Sequence, residues 1–225
     1  MQPNHPPIEC VLFDLDGTLL DTSYDFCYAL NLTCQAHNIS APSYNLVRNT
    51  VSQGGAAVTA LAFDPADTET FEQRRVEFLG AYKDHIALHT QLFPGLLPGL
   101  VHLAENNIPW GIVTNKPQGL TEHLLKNFRF PSAPQTVICG DTLAVRKPSP
   151  EPMWLAAEQC GVEAKACLYL GDHPRDIEAG INAGMQTGAA LFGYLPEEKI
   201  DNISQADHIF RTPYDITLFL KERFN

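Results

Sequence analysis

Asp14 and Asp16 stand two residues apart in Phe13-Asp14-Leu15-Asp16-Gly17-Thr18, at the end of a short apolar run. On an extended chain, side chains two apart point to the same side, so the two carboxylates begin near one another. Gly17 then lets the backbone turn sharply. Like charges this close repel, and a bound divalent cation is the usual relief. Three other segments carry groups that suit the same chemistry. Val113-Thr114-Asn115 offers a hydroxyl and an amide, and Arg146-Lys147-Pro148-Ser149-Pro150 frames a lysine between prolines. Gly171-Asp172-His173-Pro174-Arg175-Asp176 adds two carboxylates four residues apart. Each piece alone has a plain explanation: an Asp-Gly turn, a Thr-Asn turn, a solvated lysine, or acids favoured at a helix N-terminus. Together the four segments carry four carboxylates, a hydroxyl, an amide and a lysine ammonium group.

What sets the pieces apart from chance is where the elements should put them. Short apolar, β-branched runs recur at Cys10–Phe13, Trp110–Val113, Thr136–Cys139, Cys167–Leu170 and Thr187–Leu191, with a weaker one at His208–Phe210. Amphipathic stretches near Leu96–Glu105, Gly119–Lys126, Glu151–Cys160 and Asp176–Ala183 separate most of them. This alternation predicts an α/β fold with a doubly wound parallel sheet, and near-continuous hydrophobicity predicts strands covered on both faces. The four chemical segments then fall along the carboxyl edge of one sheet, where open α/β sheets bind ligands.

One interval breaks the alternation. From Thr22 to Leu88 no strand run stands out, and apolar residues such as Phe71, Phe78 and Tyr82 recur at helical spacing. This predicts an all-helical insertion over 22–88, after the first strand, in a core formed by 1–21 and 89–225. Pro94-Gly95 and Pro98-Gly99 read as turns that mark the return to the core.

Composition excludes several classes. A formal net charge of −11 leaves no basic stripe for nucleic acid or an anionic membrane, and requires positive charge to be gathered locally at any anion site. No run approaches the roughly 18 apolar residues that span a bilayer. Met1-Gln2-Pro3-Asn4-His5-Pro6-Pro7 lacks the basic and apolar regions of a signal peptide, so a cytoplasmic location is expected. None of the six cysteines forms a C-x-x-C pair, which reads as reduced core thiols. His85 and His89 are four apart but lack a nearby third ligand, so they are not read as a zinc site. Neither a Walker loop nor G-x-G-x-x-G is present.

The set Asp14-x-Asp16-Gly17-Thr18, Thr114-Asn115, Lys147-Pro148 and Gly171-Asp172-x-x-x-Asp176 resembles the four signature motifs of the haloacid dehalogenase-like hydrolase superfamily. The likeness extends to its phosphoglycolate phosphatase-like branch through Leu19-Leu20-Asp21-Thr22, Asn115-Lys116-Pro117, Gly140-Asp141-Thr142 and Pro148-x-Pro150-x-Pro152. It spans nearly the whole chain in order. The resemblance implies a Rossmann-like core with a small helical cap over 22–88, and a Mg²⁺-dependent phosphatase acting on a small phosphorylated metabolite. Asp14 would be the nucleophile, forming an aspartyl-phosphate. Asp16 would be the general acid and base, its main-chain carbonyl ligating the metal. Thr114 and Asn115 would bind the transferring oxygens, and Lys147 would neutralise charge. Asp14 and Asp172 would hold Mg²⁺, with Asp176 supporting the metal or orienting Lys147.

Within the cap, Ser52-Gln53-Gly54-Gly55 resembles the branch's substrate-facing turn, although Gly54-Gly55 equally fits a break between two helices. His173-Pro174 departs from the Ser often found after the metal-binding Asp. The branch includes 2-phosphoglycolate phosphatases and the similar N-acetylmuramic acid 6-phosphate phosphatases. Val51-Ser52-x-Gly54-Gly55-Ala56 and Arg175-Asp176-Ile177 look more like the second group. A sugar phosphomutase matches less closely than a hydrolase. A phosphorylation-dependent receiver has no need of Asp16 or a cap, a dehalogenase has no need of the metal carboxylates, and a non-catalytic binding protein has no need of every motif residue.

Overall fold

The computed structural model describes residues 6–196, 200–201 and 203–225; Met1–His5 of the N-terminal segment considered above lies outside them. Its centre is a six-stranded, all-parallel sheet made by β1 (Cys10–Phe13), β4 (Trp110–Val113), β5 (Thr136–Ile138), β6 (Cys167–Gly171), β7 (Gln186–Ala190) and β8 (His208–Phe210). The strand order β5-β4-β1-β6-β7-β8 puts β1 where the chain reverses its direction of travel across the sheet. Such a switch point opens a crevice beyond the strand ends. Alternation along β1 divides the core. Val11 and Phe13 pack with Leu100 and Leu103 of α5 (Leu97–Glu105) and Ile216 and Leu220 of α9 (Pro213–Arg223). Cys10 and Leu12 pack on the other face with Met153 and Ala156 of α7 (Glu151–Gln159) and Ala179 of α8 (Pro174–Ala183). The six strands stand where the sequence places them, with ends differing by a residue or two.

Three features were not legible. Helix α9 follows a weak apolar pattern, yet its start carries a signal: Thr212 caps the helix and Asp215 returns the bond to the Thr212 amide. Pro98-Gly99 is not a turn but the opening of α5, where a proline has no helical amide to lose. Gly99 there lies against Thr217 of α9, too close for a side chain. The third feature is a two-stranded antiparallel ladder of β2 (Leu20–Asp21) and β3 (Gln91–Leu92), too short for any periodicity.

Between β2 and β3 run α1 (Ser23–Ala36), α2 (Tyr44–Arg48), α3 (Gly55–Ala60) and α4 (Thr68–Asp84). Phe71, Phe78 and Tyr82 of α4 are buried, and Phe26 of α1 packs on Tyr82 with ring centroids 4.1 Å apart. No helix among the described residues is long and apolar enough to cross a membrane. All six cysteines are free thiols, five of them buried and Cys27 half-buried.

Asp25, fully buried in the first turn of α1, ties the two chain crossings together. It accepts from the amides of His89 (2.8 Å) and Thr90 (3.1 Å) and from Thr90 Oγ1 (2.6 Å). Alanine there orphans two backbone donors and removes an acid from a helix N-terminus. Asp25→Ala is therefore expected to cost about 2–4 kcal/mol in chemical denaturation. A loss within about 0.5 kcal/mol, the range of ordinary surface changes, would show that the clamp does not matter.

Candidate active site

Asp14 is the first residue past β1, Thr114 the first past β4, and Asp172 the first past β6. Lys147 arrives from the loop between β5 and α7. Because β4, β1 and β6 are neighbours, all four side chains meet at one sheet edge. Gly17 makes the turn possible: its φ of 92° is in the region that favours glycine, and a Cβ there would collide with the Asp172 carboxylate.

Lys147 is the hub. Its Nζ donates to Asp14 Oδ1 (2.8 Å), the Val113 carbonyl (2.8 Å) and Tyr169 Oη (2.7 Å), and pairs with Asp176 Oδ1 (2.7 Å). Nearly all of this is buried. Carboxylate oxygens of Asp14, Asp172 and Asp176 lie within 4.8 Å of one another, the one such cluster among the described residues. His85 and His89 belong to no such group; His85 Nδ1 lies 2.9 Å from the Ala81 carbonyl.

The electrostatics show a site short of positive charge. Burial, followed by the charges of Asp14 and Asp176, pushes the Asp172 carboxyl up to about 8. Burial raises Asp14 to about 6, with Asp176 adding to the rise and Lys147 opposing it. For Asp176, burial pushes up as well, but Lys147 and Arg175 outweigh it and hold the group below the usual carboxylate range. Asp172 Oδ2 accepts from the Tyr194 amide (2.8 Å) and Ser52 Oγ (3.0 Å), while Oδ1 is buried without a protein partner. An orphaned carboxylate oxygen in an oxygen-only cluster fits a hard divalent cation.

Asp16 lies outside this trio by its carboxylate, which accepts from Thr22 Oγ1 (2.7 Å) and Lys116 Nζ (2.9 Å). Thr114 is buried and its Oγ1 accepts from the Lys116 amide (3.2 Å). Asn115 donates from Nδ2 to the Lys147 carbonyl (3.0 Å), and its Oδ1 has no protein partner. Asp14, Asp16, Thr114 and Asn115 line a cavity of about 290 Å³ whose wall also includes Ser52, Gly54 and Gly55. Lys147 and the carboxylates of Asp172 and Asp176 reach the site from behind this lining.

Several residues of the site carry no role that the sequence assigns. Lys116 sits one position beyond the Thr114-Asn115 pair, and its Nζ also donates to Tyr82 Oη (2.9 Å), joining Asp16 to α4. Tyr194 holds Asp172 by its amide while its hydroxyl accepts from the Thr22 amide (2.6 Å). Arg175 donates to the Ser52 carbonyl, fixing the turn Val51–Gln53 over the site. The unusual His173 caps α8: its ring nitrogen accepts from the Arg175 amide (3.3 Å), as a serine hydroxyl does at this position.

Similarity to known proteins agrees with this geometry. The pattern of the family described as haloacid dehalogenase-like hydrolase matches residues 11–190. An N-acetylmuramic acid 6-phosphate phosphatase of Pseudomonas putida is 36% identical, covering 93% of this chain and 94% of that protein. A phosphoglycolate phosphatase of Xanthomonas campestris pv. campestris is 39% identical, covering 90% of this chain and 92% of the other. Among solved structures, a "predicted phosphoglycolate phosphatase" of Haemophilus somnus superposes with a TM-score of 0.81 at 25% identity, covering 94% of this chain and 97% of that one. From the sheet, the motif residues at its carboxyl edge and these likenesses, the chain belongs to the haloacid dehalogenase-like hydrolase family.

Proposed function

We propose that this protein hydrolyses the phosphate monoester of a small metabolite, 2-phosphoglycolate or N-acetylmuramic acid 6-phosphate, through a phosphoryl group carried on Asp14 and with Mg²⁺ as cofactor. Phosphatase activity as a class follows from the family and from relatives of both kinds. The observation that carries the finer reading is the buried Asp14 carboxylate, 2.8 Å from Lys147 Nζ at the floor of the cavity and within reach of Asp172 and Asp176.

In this reading Asp14 attacks phosphorus as the bond to the leaving oxygen breaks. Asp16 gives that oxygen a proton, then takes one from the water that releases orthophosphate and frees Asp14. Serving as acid requires Asp16 to turn from Lys116 and Thr22 toward the leaving oxygen, since both groups hold it as an acceptor. Thr114, Asn115 and Lys147 bind the phosphoryl oxygens and offset their charge. Asp14 and Asp172, with Asp176 and the main-chain carbonyl of Asp16, would hold Mg²⁺. When bound, the ion supplies the positive charge that lets a phosphate dianion enter a site rich in carboxylates. The helices of 22–88 act as the cap, with Ser52, Gly54 and Gly55 facing the substrate and excluding water.

A panel of phosphorylated metabolites assayed with Mg²⁺ tests the proposal. Orthophosphate should be released from one of the two named esters. No release from either, nor from p-nitrophenyl phosphate, would remove it. Activity is also expected to vanish in EDTA and return with added Mg²⁺, because the trio cannot gather around a phosphate without a cation. Full turnover in a metal-free assay would exclude this mechanism.

A further inference from the structure

In a protein of net charge −11, the cavity wall gathers four cations, Lys116, Arg75, Arg146 and Arg175, around two carboxylates, Asp14 and Asp16. Two of the four have structural work. Lys116 holds Asp16 and Tyr82, and Arg175 holds the Ser52 carbonyl. Arg75 is different. It is half-buried on α4, and its ion pair is an i, i+3 contact with Glu72 (2.7 Å), whose side chain is half exposed. Such a pair is weak and readily exchanged. Arg146 is exposed at the rim of the same cavity.

Helix geometry places Arg75 relative to the chemistry. Arg75, Leu79 and Tyr82 occur four and then three residues apart, so they share one face of α4. Tyr82 Oη meets Lys116 next to Asp16, and Leu79 and Arg75 line the cavity. Seven residues of helix separate Tyr82 from Arg75 by about 10 Å along the axis. Arg75 thus stands two helical turns along α4 from the residue that meets Lys116 beside Asp16. Leu79 and Phe26 add apolar wall to the same cavity.

We infer that Arg75, assisted by Arg146, is the binding residue for a carboxylate that the substrate carries remote from its phosphate ester. This rests on the phosphomonoesterase reading above and adds a substrate class to it. A guanidinium fork pairs a planar carboxylate through two parallel bonds. Glu72 stays close enough to Arg75 to disfavour a second phosphate dianion more than a singly charged carboxylate.

The test compares N-acetylmuramic acid 6-phosphate with N-acetylglucosamine 6-phosphate, which lacks only the lactyl ether and its carboxylate. The wild type should prefer the first by about 10- to 100-fold in kcat/KM, mostly through KM, as for one charge-assisted pair. Arg75→Gln should reduce the preference to below about twofold, and Arg75→Lys should keep part of it, with the Tm of each checked against wild type. A wild type indifferent to the lactyl group, a preference that survives Arg75→Gln, or one confined to 2-phosphoglycolate over ethyl phosphate would overturn the inference. Those results leave phosphatase activity standing. Inactivity toward every ester, p-nitrophenyl phosphate included, instead removes the phosphatase reading and the subsite with it.

Discussion

Asp14→Asn is expected to lower kcat by roughly 10⁴-fold or more while the protein stays folded. In the mechanism proposed above, the substitution removes the attacking oxygen and one member of the carboxylate trio together, and residues that act as a unit do not lose activity in parts. The fold should tolerate it for two reasons. Lys147 keeps Asp176 at 2.7 Å, so no buried ammonium is stranded. Burial already pushes the Asp14 carboxyl up to about 6, so its charge opposes folding at this site more than it helps. The measurement is orthophosphate release beside a thermal melt. Beryllium fluoride, a phosphate analogue, should attach to Asp14 in the wild type and not in the variant. Its appearance on another side chain would overturn the assignment of the nucleophile.

A second large effect separates the two roles within the first motif. Asp16→Asn keeps the main-chain carbonyl, and an amide oxygen can still accept from Thr22 and Lys116, which now donate 2.7 and 2.9 Å bonds to the carboxylate. Metal and substrate binding should therefore be nearly normal, while turnover falls about 10²–10⁴-fold, the range for losing a general acid and base. In the first half-reaction the deficit should shrink for p-nitrophenyl phosphate, whose leaving group needs little protonation. The phosphoenzyme should then persist, because the water that clears it has lost its base. Equal slowing for good and poor leaving groups in single-turnover experiments, with no phosphoenzyme build-up, would reduce Asp16 to a structural residue.

Why some of this was legible and some not has a physical basis. Strands such as Cys10–Phe13 and Trp110–Val113 are buried on both faces, so their hydrophobic runs are local signals of a global arrangement. Asp14, Thr114 and Asp172 each follow such a run directly, and that makes their meeting deducible once a parallel sheet is inferred. Lys116 and Tyr194 belong to a different class. Lys116 is a lone cation in a turn, and its bond to Tyr82 depends on how the helical insertion lies against the core. Tyr194 reaches Asp172 only because β7 and the chain after it return to the same edge. No spacing rule encodes either contact. The weak apolar stripe of α9 hid that helix, although Thr212 and Asp215 marked its beginning.

The ladder of β2 and β3 bears on how such a protein can change over evolutionary time. Asp21 and Gln91 are register partners on antiparallel strands, so the chain leaves the core and re-enters it at adjoining points. A turn of about two residues can join such a pair. Everything between is thus a graft with both ends at one seam. The register of β1, β4 and β6 is made by residues outside this segment, so its exchange is expected to leave the carboxylates at their ends in place. Lineages can then keep the reaction while trading what is admitted to it. A chimera that carries another relative's helices between Asp21 and Gln91 should retain the recipient's catalytic residues and take on the donor's choice of substrate.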